Sequence, residues 1–338
     1  MRGPAKLLAA SRGREEKDVN GESEPNRGTE AAKARARVAL STEVEAALAA
    51  AYPVVALEST ILCHGLPFPA NLETHRAAEE AVRRDGAVPA LVAVVDGVAR
   101  AGFSGPEAEA LARAGRSVRK ATTRDLGLLA ARRQSGATTV AATMAIASAA
   151  GIRVFATGGI GGVHRGAAET FDISADLLEL SRTRVVVVGS GAKAVLDLPK
   201  TLEALETLGV PVLGFGTSEF PAFWIRGSGL PLEVRCDEAG EVARAVLAHW
   251  AWPSAGGVLV ANPVPEEAAL PREEMDRVIE RSLAAARAAG VTGKEVTPFL
   301  LSRLAEETAG KSLVANRALV VSNAAVAARI AAALANAD

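Results

Sequence analysis

The sequence predicts an α/β protein with a mainly parallel sheet covered by helices on both faces. Two patterns carry this. Short runs such as Val54-Val-Ala-Leu57 and Val185-Val-Val-Val188 are apolar throughout, with no polar alternation, so both faces of such a strand must be buried. These runs alternate with stretches of helical periodicity, as crossover connections between parallel strands require. A third observation limits the core. Hydrophobic residues make up 49% of the 338 residues but aromatics only 4%, so the interior is built from Ala, Val, Leu and Ile.

Strands are expected at residues 53–57, 89–95, 153–156, 184–188, 210–215 and 258–261. Helices are expected at 71–84, 106–114, 137–150, 174–182, 200–208, 238–250, 266–289 and 316–335. A first helix, ending at Ala51, opens with Thr42 and Glu45 in capping-box spacing. Residues 1–40 hold almost no large apolar side chains beyond Leu7 and Leu8. Such a segment buries too little surface to offset its ordering entropy and is expected to be a disordered tail, with one catalytic domain at 41–338.

Composition excludes some functions. A formal net charge of −1 gives no field for holding DNA or RNA, so no nucleic-acid partner is expected. The run from Ala137 to Ile152 is shorter than the roughly 20 residues of a membrane span. No membrane partner and no signal peptide are expected. Cys63 and Cys236 are far apart and have no metal-type spacing, which suits a reducing, cytoplasmic compartment.

Three polar segments follow strands directly, and in open α/β sheets the ligand lies beyond the carboxyl ends of the strands. Glu58, in Ala56-Leu-Glu-Ser-Thr-Ile61, follows the first. Partial burial would raise its pKa toward that of a general acid, although a capping or ion-paired Glu fits the position equally. Thr157-Gly-Gly-Ile-Gly-Gly-Val-His-Arg165 follows another, with four glycines in five positions that let backbone approach a ligand or a neighbouring strand, then His164 and Arg165, suited to an anion. Gly189-Ser-Gly-Ala-Lys-Ala194 follows a third. Its Lys193 is either a surface lysine or, if poorly solvated, a nucleophile. The same run matches the dinucleotide fingerprint, but the acidic residue expected after the next strand is absent before Glu219.

Asp172 and Asp176 flank Ser174 at a helix start, a place for an N-cap or for a carboxylate holding a hard cation such as Mg²⁺ or Mn²⁺. Arg119, Lys120 and Arg124 form a small basic cluster.

Taken in order, several blocks resemble the pseudouridine-5′-phosphate glycosidase family, also called the indigoidine synthase A-like family. They are Ala56–Ile61, Gly136-Ala-Thr-Thr-Val-Ala141, Phe155–Gly166, Thr170-Phe-Asp-Ile-Ser-Ala-Asp-Leu177, Gly191-Ala-Lys193, Phe220-Pro-Ala-Phe223, Ala261-Asn-Pro-Val-Pro265 and Thr297-Pro-Phe-Leu-Leu301. The similarity runs from about Ser41 to the C-terminus. Gly189-Ser190, Ala194 and Thr122-Thr123 depart from the family's usual residues.

The resemblance implies a three-layer α/β/α lyase, assembled as a homotrimer, that reversibly cleaves pseudouridine 5′-phosphate to uracil and ribose 5-phosphate. It implies Glu58 as proton donor, Lys193 as the nucleophile that forms an imine with ribose, and Asp172 as ligand of a largely hydrated Mn²⁺, one per chain. Lys120, Val140, Ser174, Ala175 and Asp176 match substrate contacts, and Thr157, His164 and Asn316 are expected in the same pocket. Two other classes fit parts of the pattern: a dehydrogenase using residues 189–194, and a non-catalytic sugar-phosphate sensor.

Overall fold

The computed structural model describes residues 38–291 and 296–337. The tail expectation for residues 1–37 lies outside them. The next three residues, Val38–Leu40, form strand β1, paired in parallel with β4 (Val98–Ala101).

Among the described residues the sheet has eleven strands. Its central run is β3 (Val88–Val95), β2 (Val54–Glu58), β7 (Val154–Ala156), β8 (Val186–Gly189), β11 (Val258–Ala261), β9 (Val212–Phe215) and β10 (Val234–Cys236), all parallel. Helical crossovers link β2 to β3, β7 to β8, β8 to β9 and β10 to β11, as parallel pairing requires, while β9 reaches β10 through a non-helical segment, residues 216–233. Two antiparallel pairings join β3 to β4 and to β6 (Gly136–Thr138), and β5 (Arg119–Ala121) extends β6. The β3–β4 hairpin turns on Asp96-Gly97, both at positive φ (50° and 83°), the conformation that two-residue hairpin loops need.

Helices cover the sheet: α1 (Thr42–Ala49), α2 (Ala70–Arg84), α3 (Gly105–Ala114), α4 (Thr123–Arg132), α5 (Val140–Ala150), α6 (Ala167–Thr170), α7 (Ala175–Arg182), α8 (Leu198–Thr207), α9 (Ala239–Trp250), α10 (Arg272–Ala288), α11 (Val296–Glu307) and α12 (Lys311–Ala335). A π-helical turn, Ile61–Gly65, follows β2. Val55, Val186, Val187, Val188, Leu259 and Val260 are fully buried, which is why their strands carry no polar alternation.

Several expectations need correction. Ser41 rather than Thr42 caps α1, its hydroxyl accepting from Val44 N at 3.3 Å. The apolar run from 137 splits: residues 136–138 are a strand, Thr139 is the N-cap, and the helix starts at Val140. The helix expected at 266–289 begins only at Arg272, because Pro271 lacks the N–H that a helix interior requires and sits at the N-cap instead. Helix α12 begins at Lys311 and is long and apolar enough to cross a membrane by length and composition, which the run at 137–152 was not. Here it is a core helix: Leu319, Ala324, Ala327, Ala328 and Ile330 are fully buried, and it packs against α2, α9, β7 and β8.

Candidate active site

Strands β2, β7 and β8 are neighbours, with Leu57 opposite Ala156 and Ala156 opposite Val188. Their carboxyl ends therefore bring Glu58, Thr157 and Gly189 side by side. Above this edge lies a cavity of about 430 Å³, walled by Glu58, Lys120, Val140, His164, Asp172, Ser174, Ala175, Asp176, Lys193 and Asn316 among others. Thr157 is not on that wall. It lies just beneath, 1% exposed, and its hydroxyl donates to Glu58 Oε1.

Glu58 is 7% exposed. Its other carboxyl oxygen accepts from the Thr60 hydroxyl. Burial pushes the Glu58 carboxyl above its ordinary range, and this outweighs the opposing pull of the Lys193 charge and the two hydroxyls; the Asp176 charge pushes the same way as burial. A carboxyl so held keeps its proton to higher pH, as a proton donor must.

The glycine-rich segment after β7 organises the cavity floor. Its close approaches explain the glycines. A Cβ at Gly161 would lie 2.3 Å from Ser174 Oγ and 2.8 Å from Asp176 Oδ2. Asp176 instead accepts from the backbone N–H groups of Gly161 (2.8 Å) and Ala141 (2.9 Å), locking the first turns of α5 and α7 to this segment. On the other side the segment meets the lysine turn: Ile160 N donates to Gly191 O at 3.0 Å and Lys193 N to Ile160 O at 3.1 Å. Gly191 has φ +68° and leaves no room for a Cβ beside Pro221 O. Lys193 Nζ donates to Gly159 O at 2.9 Å. After Ser190 the chain does not enter a helix until Leu198, so no helix N-terminus follows the glycines as dinucleotide binding requires, and the dehydrogenase reading falls.

The remaining wall is more open. The Asp172 side chain is 36% exposed, with His164 Nδ1 at 3.9 Å from its carboxylate. Burial holds the His164 imidazole below its ordinary value; Asp172 opposes this, and Lys193 and Lys120 reinforce it. Among the described residues no group of three or more His, Cys, Asp or Glu surrounds a common point. One half-open carboxylate with an imidazole nearby fits a hard divalent cation that keeps most of its water. Of the basic cluster, Lys120 and Arg124 line the cavity, whereas Arg119 is turned to an ion pair with Asp125. Cys63 lies outside the cavity, and burial pushes its thiol up to about 12, so it is no nucleophile.

Sequence reasoning missed some of the wall. Thr122 and Thr139 line it, and the buried Thr139 hydroxyl has no hydrogen-bond partner among the described residues. Phe223, at φ 62°, packs on Gly158 and Gly159, and the neighbouring Trp224 donates from Nε1 to Asn316 Oδ1 at 2.8 Å. Because the indole N–H occupies the Asn316 oxygen, that side chain has its NH₂ left for a ligand. The Phe220–Phe223 block was recognised in the sequence, but an apolar residue gives no sign of shaping a polar site.

Comparison with known proteins adds three findings. A family model described as indigoidine synthase A-like protein matches residues 43–333. The chain is 55% identical over 297 residues to a pseudouridine-5′-phosphate glycosidase from Sorangium cellulosum, covering 88% of this chain and 93% of that one, and 53% identical over 292 residues to one from Escherichia coli, covering 86% and 94%. Its backbone is similar to the crystal structure of the prealnumycin C-glycosynthase AlnA in complex with ribulose 5-phosphate. That match has a TM-score of 0.82 at 40% identity and covers 89% of this chain and 97% of that one.

Proposed function

The chain belongs to the indigoidine synthase A-like family, and on that premise we propose that it is a pseudouridine-5′-phosphate glycosidase, cleaving its substrate to uracil and ribose 5-phosphate. The observation that carries this reading is the pairing of Glu58 and Lys193 in one cavity, a buried acid with a raised pKa beside an amine whose charge it feels. A sugar-phosphate sensor needs neither group.

The bond to be broken joins two carbons, so no heteroatom carries the departing charge. The neutral amine of Lys193 attacks the anomeric carbon. The ring C–O bond breaks, and the freed oxygen takes a proton from the new ammonium. The nitrogen lone pair then expels uracil at its carbon 5, which takes up the Glu58 proton, and the sugar remains as an iminium on Lys193. Water hydrolyses it, freeing ribose 5-phosphate and the amine and returning a proton to Glu58. Burial of Glu58 keeps the acid charged with its proton until that step. Lys120 provides a cation for the phosphate, with Val140, Ser174, Ala175, Asp176, His164 and Asn316 along the same wall, and phosphate binding fixes the reacting carbon. Thr157 acts through Glu58 rather than on the substrate.

Asp172, with His164 beside it, would hold the divalent metal, Mn²⁺ by preference, whose water shell polarises the uracil carbonyls when bound. The same proposal makes the enzyme a cytoplasmic lyase and a homotrimer. The two free, buried cysteines suit a reducing compartment, and Phe171 (81% exposed) with Ile173 at the cavity mouth offers apolar surface for a neighbouring copy. The test is incubation of the purified chain with pseudouridine 5′-phosphate, with and without Mn²⁺. Release of free uracil supports the reading; tight binding with no release favours the sensor.

A further inference from the structure

One buried side chain outside the cavity wall braces the backbone that carries the contacts of both catalytic groups. Asn323, on α12, is fully buried. Its amide N–H groups are shared among Thr157 O (2.8 Å), Gly158 O (3.3 Å) and Ser190 Oγ (3.2 Å). Its oxygen accepts from Asn262 Nδ2 at 2.8 Å. Asn262 follows β11, and the same Nδ2 also reaches Ser322 Oγ at 3.0 Å. A single amide therefore ties together the chain just beyond β7, β8 and β11.

What those segments carry gives the tie its meaning. Thr157 holds Glu58 through its hydroxyl, and the Gly159 carbonyl holds Lys193 Nζ. Ser190 N donates to Gly158 O at 2.9 Å, joining the lysine turn to the same strip. Without Asn323 the Gly158 carbonyl would keep Ser190 N as its partner, but the Thr157 carbonyl is bonded to the Asn323 amide and would be left without one. A buried carbonyl without a partner is costly, so the strip would shift to find one. We propose that Asn323 is a positioning residue for the glycosidase reaction, fixing the 157–159 strip so that Glu58 and Lys193 keep their mutual geometry. This rests on the proposed function for the identity of the two groups, not for the bonding.

The distinction from a merely structural asparagine lies in what changes on its removal. If the strip moves, Thr157 withdraws its hydroxyl from Glu58, and that hydroxyl is one of the interactions that lower the Glu58 pKa. The charged groups facing Glu58, Lys193 and Asp176, remain in the cavity wall. Loss of the Thr157 bond therefore moves the alkaline limb of the turnover profile to higher pH.

The experiment compares Asn323→Ala with wild type and with Thr157→Val, measuring melting temperature, kcat, KM and the pH profile of kcat. The account expects kcat to fall about tenfold or more, as small misplacements of reacting groups do, while KM for pseudouridine 5′-phosphate changes far less. It expects the alkaline limb to rise in both variants. A lower melting temperature with wild-type kcat and an unmoved pH profile overturns the proposal, as does a limb that moves in Thr157→Val alone. Should Asn323→Ala not fold, Asn262→Ala removes the donor that orients the Asn323 amide and is read by the same criteria. If wild type releases no uracil, the proposed function has failed. Trapping of ribose 5-phosphate by borohydride, weaker in Asn323→Ala than in wild type, then still reads the positioning of Lys193.

Discussion

Glu58 and Asp172 are both carboxylates on the wall of one cavity, but they are held on different terms. Glu58 is 7% exposed, bonded to two hydroxyls, and rests on a strip whose backbone is tied to α5, α7, the lysine turn and α12. The Asp172 side chain is 36% exposed, with the His164 imidazole 3.9 Å from its carboxylate. The difference separates two kinds of function. The floor fixes an acid and an amine by buried bonds, where a displaced atom is felt at once. The rim leaves a carboxylate free to share a cation with solvent. Changes to the floor should therefore cost turnover outright, and changes to the rim should cost affinity that ligand or metal can partly restore.

The largest effect is expected at Lys193. Lys193→Arg keeps the charge but removes the amine, and uracil release should become undetectable while the variant melts near wild type. Appreciable residual turnover would move the nucleophile elsewhere. Glu58→Gln should reduce kcat by roughly 10²–10⁴-fold, the contribution of a positioned general acid. The same variant reads the burial of the carboxyl through stability. A carboxyl whose folded pKa is raised stabilises the fold fully below its unfolded value of 4.5, and this is lost as pH rises through the folded value. Glu58→Gln does not titrate, so its melting temperature should gain on wild type as pH climbs from about 4 toward neutrality; a constant difference would mean Glu58 ionises as an ordinary carboxyl.

Asp172→Ala comes next and tests the rim. Chelation should abolish wild-type turnover and Mn²⁺ restore it, whereas the variant should stay inactive at ordinary metal concentrations; full wild-type activity after exhaustive chelation removes the metal from the account. Trp224→Phe keeps the ring but removes the N–H that orients Asn316. Loss of one such bond, about 1 kcal/mol, should raise KM a few-fold with kcat nearly unchanged. An unchanged KM would leave Asn316 outside the binding wall. The smallest effect is expected from deleting residues 1–37, which precede the family match beginning at 43. Turnover and melting temperature should be the same within error, and a large drop in either would make the segment part of the enzyme.

The sequence made the central strands legible because burial on both faces leaves them no polar residues: Val185–Val188 can be little else. The same reasoning missed β4, β5 and β10, three or four residues each with charged side chains: β5 and β10 are edge strands, and β4, though paired on both sides, is partly exposed along its face, so none carries that signature. The Asp96-Gly97 turn was the available sign of the β3–β4 hairpin. In the site, Glu58, Lys193 and Asp172 were visible as polar residues in strand-end or glycine-rich settings. Thr122, Thr139, Trp224 and Asn323 were not. A threonine at a helix start, a tryptophan in a loop and an asparagine within an alanine-rich helix each have ordinary explanations. Only the fold shows that Asn323 faces the carbonyls of a strip about 165 residues earlier in the chain.

The central claim, an amine and a buried acid acting at one anomeric carbon, is tested most directly by trapping the imine. The reaction passes through the same adduct in both directions, so ribose 5-phosphate alone should form it. Borohydride added with ribose 5-phosphate should fix one sugar phosphate per chain, and peptide mass mapping should locate it on Lys193 in wild type and find none in Lys193→Arg. A label on Lys120 or Lys200, or no label in a chain that still releases uracil, would contradict the account.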